Sequence, residues 1–334
     1  MHSPVSRISK LGFVLASLMA VLLSASTASA QQQGHNLPGD VGLKSGSQAP
    51  PGIYAGFLYY AYPTDTLKND DGETVNQNGK LTMAAPTAFV SWVTNRKFLG
   101  ANVGGMVALP WFKNRISAFS LDAASDMSVS DVYFQPVNLG WHTKRADVTA
   151  GYGVFFPSGK FGGSAKEASG LGMFSHELSV GTTAYLTKDQ SWHASALLAY
   201  EMHTNKPGVD IKVGDMVTVE GGVGKTFIKP VASGPIPVMT NVGLAYYTQF
   251  KATADSGTDI REFLRGRKDR VFGVGPEVSV FVPQIGATIG ARYVPEFGAR
   301  NTTQGQTFAV SIAFVVKPLA PPPPAASPAQ PAAP

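Results

Sequence analysis

The side chains able to do chemistry are few and scattered in this chain of 334 residues, so their spacing is informative. His193, Glu201 and His203 are types that ligate metals or pass protons. Ten residues along one strand span roughly 33 Å, which separates His193 from His203. Only Glu201 and His203 are neighbours on one face, and two ligands make a weak metal site. FSHELS (174–179) turns His176 the same way as Phe174 and Leu178. Acyl transfer would require a serine within reach of that imidazole and an orienting Asn or Asp behind it. Neighbouring segments offer no serine on that face at a suitable spacing. No phosphate-binding loop or nucleotide motif appears. Without cysteine, neither a disulfide nor a thiolate centre can form. These residues point to no enzyme, no metal and no cofactor.

The elements that position them follow a leader. MHSPVSRISK carries Arg7 and Lys10 with no acid, LGFVLASLMAVLL is apolar, and Ala28-Ser29-Ala30 has the small-x-small form of a cleavage site. Residues 1–30 are thus expected to be a secretory signal peptide, too short in its apolar part for a membrane anchor. No later stretch reaches eighteen uninterrupted apolar residues, which excludes a helical membrane bundle. The formal charge of +5 is too mild to imply nucleic acid. An exported, cysteine-free chain with 36 glycines and many aromatics suits the outer membrane of a Gram-negative cell.

That setting requires segments of about ten residues, apolar at every second position, joined by alternately short and long connections. The sequence predicts strands near 52–62, 80–94, 97–112, 128–143, 147–157, 172–186, 191–204, 215–228, 235–250, 270–282, 285–297 and 306–316. NR, KRA, TKDQ, PVASG and PQ are short connections, whereas stretches such as PTDTLKNDDGETVNQNG and ATADSGTDIREFLRGRKD are long and polar. The fold class is therefore all-β: a transmembrane antiparallel barrel of about twelve strands over 52–316, short turns in the periplasm and long loops outside. In QTFAVSIAFVV, Phe308, Val310, Ile312 and Phe314 oppose Ala309, Ser311 and Ala313. A soluble sandwich would show shorter strands. Trp92, Trp111, Trp141, Trp192, Tyr62 and Tyr246 lie near strand ends, where aromatic girdles meet the lipid boundary.

The same alternation turns Asp131, His142, Glu177, His193, Glu201, His203, Glu220, Glu277 and Arg292 toward the lumen. Lipid could not hold these charges, since a basic residue at the bilayer centre costs about 2–4 kcal/mol. Two readings stay open: a polar ladder that orders water and solutes, or a salt-bridged network with Arg292 pairing a carboxylate. Met83, Phe89, Met106, Phe155 and Tyr247 are apolar lumen candidates, either a track for aromatic or alkyl solutes or simple space filling. Residues 31–51, rich in Gly and Pro, form a periplasmic arm or an inward plug. Residues 317–334 read as a Pro/Ala-rich disordered tail. REFLRGRKDR, net +3, lies in an external loop where it could meet lipopolysaccharide phosphates or simply be solvated.

LPGDVGLKSGSQAPPGIY followed by GFLYYAY resembles the start of the meta-pathway phenol-degradation family of outer-membrane proteins. The likeness continues at DVYFQPVNLGWH (131–142), GDMVTVEGGVG (214–224) and VFGVGPEVSVFVP (271–283), in matching order. The resemblance implies an outer-membrane β-barrel, associated with aromatic catabolism, that admits hydrophobic compounds. It carries no catalytic residues. One departure concerns assembly: Phe314 precedes a tail, so recognition by the outer-membrane assembly machinery would have to be internal. The expected function is passive uptake of small hydrophobic or aromatic compounds. A general diffusion pore, a structural or surface-interaction barrel and, last, a lipid hydrolase are the alternatives.

Overall fold

The structure, a computed structural model, describes residues 33–75, 79–118, 121–162, 167–231, 234–260 and 266–319. The expected leader (1–30) and most of the expected tail lie outside the described residues.

The strands are β1 (Gly52–Thr64), β2 (Gly79–Phe98), β3 (Ala101–Ala118), β4 (Leu121–Ala124), β5 (Ser128–Val129), β6 (Val132–His142) and β7 (Ala146–Phe156). They continue as β8 (Ser175–Tyr185), β9 (Trp192–His203), β10 (Met216–Lys229), β11 (Val238–Lys251), β12 (Arg270–Val282), β13 (Ala287–Arg300) and β14 (Gln306–Pro318). β4 and β5 are short ladders laid along β3. The other strands each pair antiparallel with their neighbours in sequence, and β1 also pairs β14, with Phe57 opposite Ile312. The sheet therefore closes on itself, as the alternation predicts. Closure leaves no strand edge for hydrocarbon to desolvate.

The inside-out pattern settles what surrounds it. On β8, Leu178 is 50% exposed while the adjacent Glu177 is 7% exposed. On β12, Val278 is 42% exposed and Glu277 6%. A chain folding in water would bury the reverse set. Here the outer belt is Val, Leu, Ile and Phe, including Phe57, Leu244, Ile289 and Phe314. Such a belt buries its apolar area only against lipid. Tyr62 departs from the girdle expected at strand ends: it is buried on the inner face, its hydroxyl donating to Glu296 at 2.6 Å.

Short connections mark the periplasmic end. β2 and β3 are joined by Leu99 and Gly100 alone, both at positive φ, the geometry that lets a two-residue turn follow the twist of its strands. Expected strand 128–143 is broken into β5 and β6, and Asp131 sits between them at the outer end. Around Pro276 and Pro295, which have no N–H to donate, the β12–β13 ladder skips from Gly273–Glu296 to Glu277–Arg292.

Candidate functional site: a lumen filled by the N-terminal arm

The arm enters at the periplasmic end, before Gly52, and climbs the lumen. It is held largely through its main chain. Gly39 and Val41 donate their N–H groups to the two oxygens of Glu220 at 3.1 and 3.0 Å. Leu43 donates to Glu277 at 3.0 Å. His35 and Asn36 donate to the two oxygens of Glu201 at 2.6 and 3.2 Å. Arg292 lies 3.4 Å from Glu277 and donates to the Gly39 carbonyl at 3.0 Å. Bonds from N–H groups to buried carboxylates are charge-assisted, worth more than neutral ones. The ladder of acids is thus complementary to a strip of peptide, and Arg292 both neutralises one rung and grips the arm.

At the top of the lumen His35 joins β8 and β9 to the segment between β5 and β6. Its Nε2 donates to Asp131 Oδ2 at 2.9 Å, and its Nδ1 lies 2.7 Å from Ser175 Oγ and 3.3 Å from Glu201 Oε1. Ser175 Oγ is also 2.7 Å from His203 Nδ1, so the hydroxyl links two imidazoles. Phe155 stacks on His35 at 4.7 Å between ring centres. Burial alone would lower the His35 pKa, but its hydrogen bonds to Asp131 and Glu201 and their charges raise it overall. Three potential ligand atoms, from His35, Glu201 and His203, gather within 4.8 Å of one another. The arm therefore supplies a third metal-type ligand that strand spacing alone could not show. Ser175 Oγ bridges both Nδ1 atoms, so the two imidazoles are joined in a hydrogen-bond chain, while the buried Nε2 of His203 has no partner among the described residues.

Lower down, Leu43 occupies a recess in the wall. A Cβ added at Gly222, Gly224 or Gly243 would meet its side chain. Farther toward the periplasm, Ser47 donates to Asp147 at 2.7 Å and Gln48 to the Asn138 side chain at 2.8 Å. His142 contacts Asp147 at 3.0 Å near the mouth, half-exposed, and reaches the arm only through that acid. Asp40 is pushed up to about 6 by burial, against the pull of Arg292.

The opposite sector of the wall is apolar. Tyr60, Tyr62 and Ala85 form a buried cluster packed by Met83, Phe112 and Leu37 of the arm. Phe89 lies against Gly56, where a Cβ would collide with its ring. Tyr60 donates to the Pro38 carbonyl at 2.9 Å. Tyr247 and Tyr62 share Glu296 at 2.9 and 2.6 Å.

Of the residues singled out in the sequence, Glu201, Glu220, Glu277, Arg292 and Asp131 meet the arm directly. Phe155 stacks on it. Glu177 accepts from Tyr133 at 2.8 Å, and His203 acts through Ser175. His193 is fully buried beside Gly224, neither ring nitrogen hydrogen-bonded among the described residues. Met106 sits on β3, opposite Ser91 of β2 and Gln135 of β6. Sequence reasoning missed His35, Ser175 and Glu296. Glu296 was within reach, because the alternation that turns Arg292 inward turns Val294 and Glu296 inward too. His35 lies in a segment without periodicity.

A closed antiparallel barrel, apolar outside and acidic inside, defines an outer-membrane β-barrel protein. The chain belongs to the family described as "Putative MetA-pathway of phenol degradation", whose profile matches residues 64–312. It is similar in fold to an outer-membrane channel from Pseudomonas putida F1, at 13% identity and a TM-score of 0.63, covering 84% of this chain and 99% of that one. The β domain of the Bordetella autotransporter BrkA aligns at 10% identity over 79% of this chain and 99% of that one, with a TM-score of 0.48. No curated protein matches the chain in sequence. The four segments that carried the family resemblance prove to be the parties to one contact. LPGDVGLKSGSQ is most of the arm, and the other three supply Asn138, Glu220 and Glu277 to it.

Proposed function

We propose that this barrel lets small hydrophobic or aromatic compounds diffuse passively across the outer membrane when its N-terminal arm shifts from the lumen wall. The observation that carries this reading is the division of the lumen. The arm is pinned without covalent bonds to the acidic wall on β9–β13, and an aromatic wall on β1–β3 faces it from the other side. A movable peptide beside an aromatic surface gives apolar solutes a route with a few polar guides. Membership in a family described by phenol degradation agrees with aromatic solutes. The reading includes export through a cleaved leader.

Ser175, His35 and Asp131 stand in the order of an acyl-transfer triad. Ser175 is 0% exposed, enclosed by the arm and strands, so we read the trio as a fastening and the protein as a conduit. The test is solute flux into liposomes holding the purified protein. Phenol and toluene should enter faster than sugars of similar size, and Phe89→Ala should narrow that preference. Equal entry of both classes would leave a general pore, and phospholipid cleavage would establish a hydrolase.

A further inference from the structure

The external rim between β11, β12 and β13 carries two arginines with no ion-pair partner among the described residues. Arg270 opens β12 and Arg300 closes β13, and the two are directly opposite in the ladder. Like charges placed so repel. Among the described residues neither has an acidic partner, whereas nearby Arg267 pairs Asp70 at 3.4 Å and Lys251 pairs Asp255 at 2.9 Å. Both arginines are exposed and border a cavity of about 840 Å³ whose charged lining also includes Lys251, Arg267 and Lys268 against Asp70 and Asp269, leaving it net positive. Just below, toward the lipid, the surface is aromatic. Phe272 stacks on Phe297 at 5.9 Å between ring centres, and Phe250 borders the same cavity. The Arg270 guanidinium lies 6.0 Å from the centre of the Phe272 ring.

Two facing guanidiniums above a step of phenyl rings match one chemistry: a phosphate on a molecule with acyl chains. Guanidinium forks bind phosphate oxygens in pairs and remove the repulsion between them. The long loop 252–269 places this rim on the outer side, where the leaflet lipid carries such phosphates. We propose that Arg270 and Arg300 form a binding site for the phosphorylated headgroup of an outer-leaflet glycolipid of the lipid A type. Its chains lie along Phe250, Phe272 and Phe297. The site is on the outer wall and does not depend on what passes through the lumen.

The test uses the full mature barrel in phosphatidylcholine nanodiscs, titrated separately with diphosphoryl lipid A, dephosphorylated lipid A and sodium pyrophosphate. The readout is the temperature at which the folded, heat-modifiable species is lost. Diphosphoryl lipid A alone should raise it, and R270Q/R300Q should weaken the apparent affinity by roughly tenfold or more. Without lipid the double variant should melt no lower than the parent, since a repulsive pair has been removed. An equal response of parent and variant overturns the proposal, as does no response of the parent. Equal action by the dephosphorylated lipid would mean acyl contact alone, and equal action by pyrophosphate a site for soluble anions; either overturns it. A variant that misfolds or melts lower in plain nanodiscs would show the arginines to be structural and overturn it too.

Discussion

The arm meets two unlike walls. On β9–β13 it finds Glu201, Glu220, Glu277 and Arg292, which fix individual main-chain groups at hydrogen-bonding distance. On β1–β3 its Leu37 packs against the cluster of Tyr60, Tyr62 and Ala85, which offers mostly area and one directed bond, from Tyr60 to the Pro38 carbonyl. The first wall sets where the arm lies, because charge-assisted hydrogen bonds depend steeply on geometry. The second excludes water without demanding one position, because apolar contact is non-directional. A solute able to replace Leu37 on the aromatic side would leave most of the arm's polar bonds intact.

The comparison is broken most severely by removing the arm. Deleting residues 33–47 should raise single-channel conductance by an order of magnitude or more, since several bonds of ~1.5–3 kcal/mol each keep the closed form populated. Unchanged conductance would mean that the arm does not obstruct the path.

A single acid gives a smaller effect. Glu220→Ala removes the acceptor of two N–H groups. It should increase the open fraction roughly tenfold, in line with about 1.5 kcal/mol or more lost. Met83→Ala on the opposite wall should leave that fraction nearly unchanged, so equal effects in bilayer recordings would erase the distinction between walls.

The smallest effect is with pH. His35 and Asp40 both have pKa values raised in the docked arm, Asp40 to about 6 from an ordinary 3.8. A raised pKa means stabilisation that is complete below the undocked value and lost as pH climbs through the docked one. Docking should therefore weaken across pH 3.8 to about 6 through Asp40. It should weaken again above the ordinary histidine value of 6.5 through His35. Conductance should rise with pH in two limbs, with Asp40→Asn flattening the lower and His35→Asn the upper. A conductance that falls with rising pH would contradict both assignments.

The barrel was legible because lipid imposes a rule on every second residue. In β14, Phe308, Val310 and Phe314 are exposed while Ala309 and Thr307 are buried, as the alternation requires. The inward acids followed from the same rule. The path of the arm did not, for a physical reason: it binds through main-chain N–H groups, which every residue but proline has. Nothing in GDVGL marks Gly39, Val41 and Leu43 as donors until the carboxylates facing them are located. His35 meets Glu201 across 166 residues, a separation that no local pattern encodes. Tyr62 misled because a tyrosine near a strand end suits both a lipid boundary and a buried acid such as Glu296.

The arm is continuous with β1 at Gly52, on the periplasmic rim, and, the sequence having no cysteine, no disulfide ties it to the wall. Once detached, it stays tethered beside the mouth it left, at an effective concentration in the millimolar range set by a short linker. Its return is a unimolecular event, indifferent to how many copies of the protein the membrane holds.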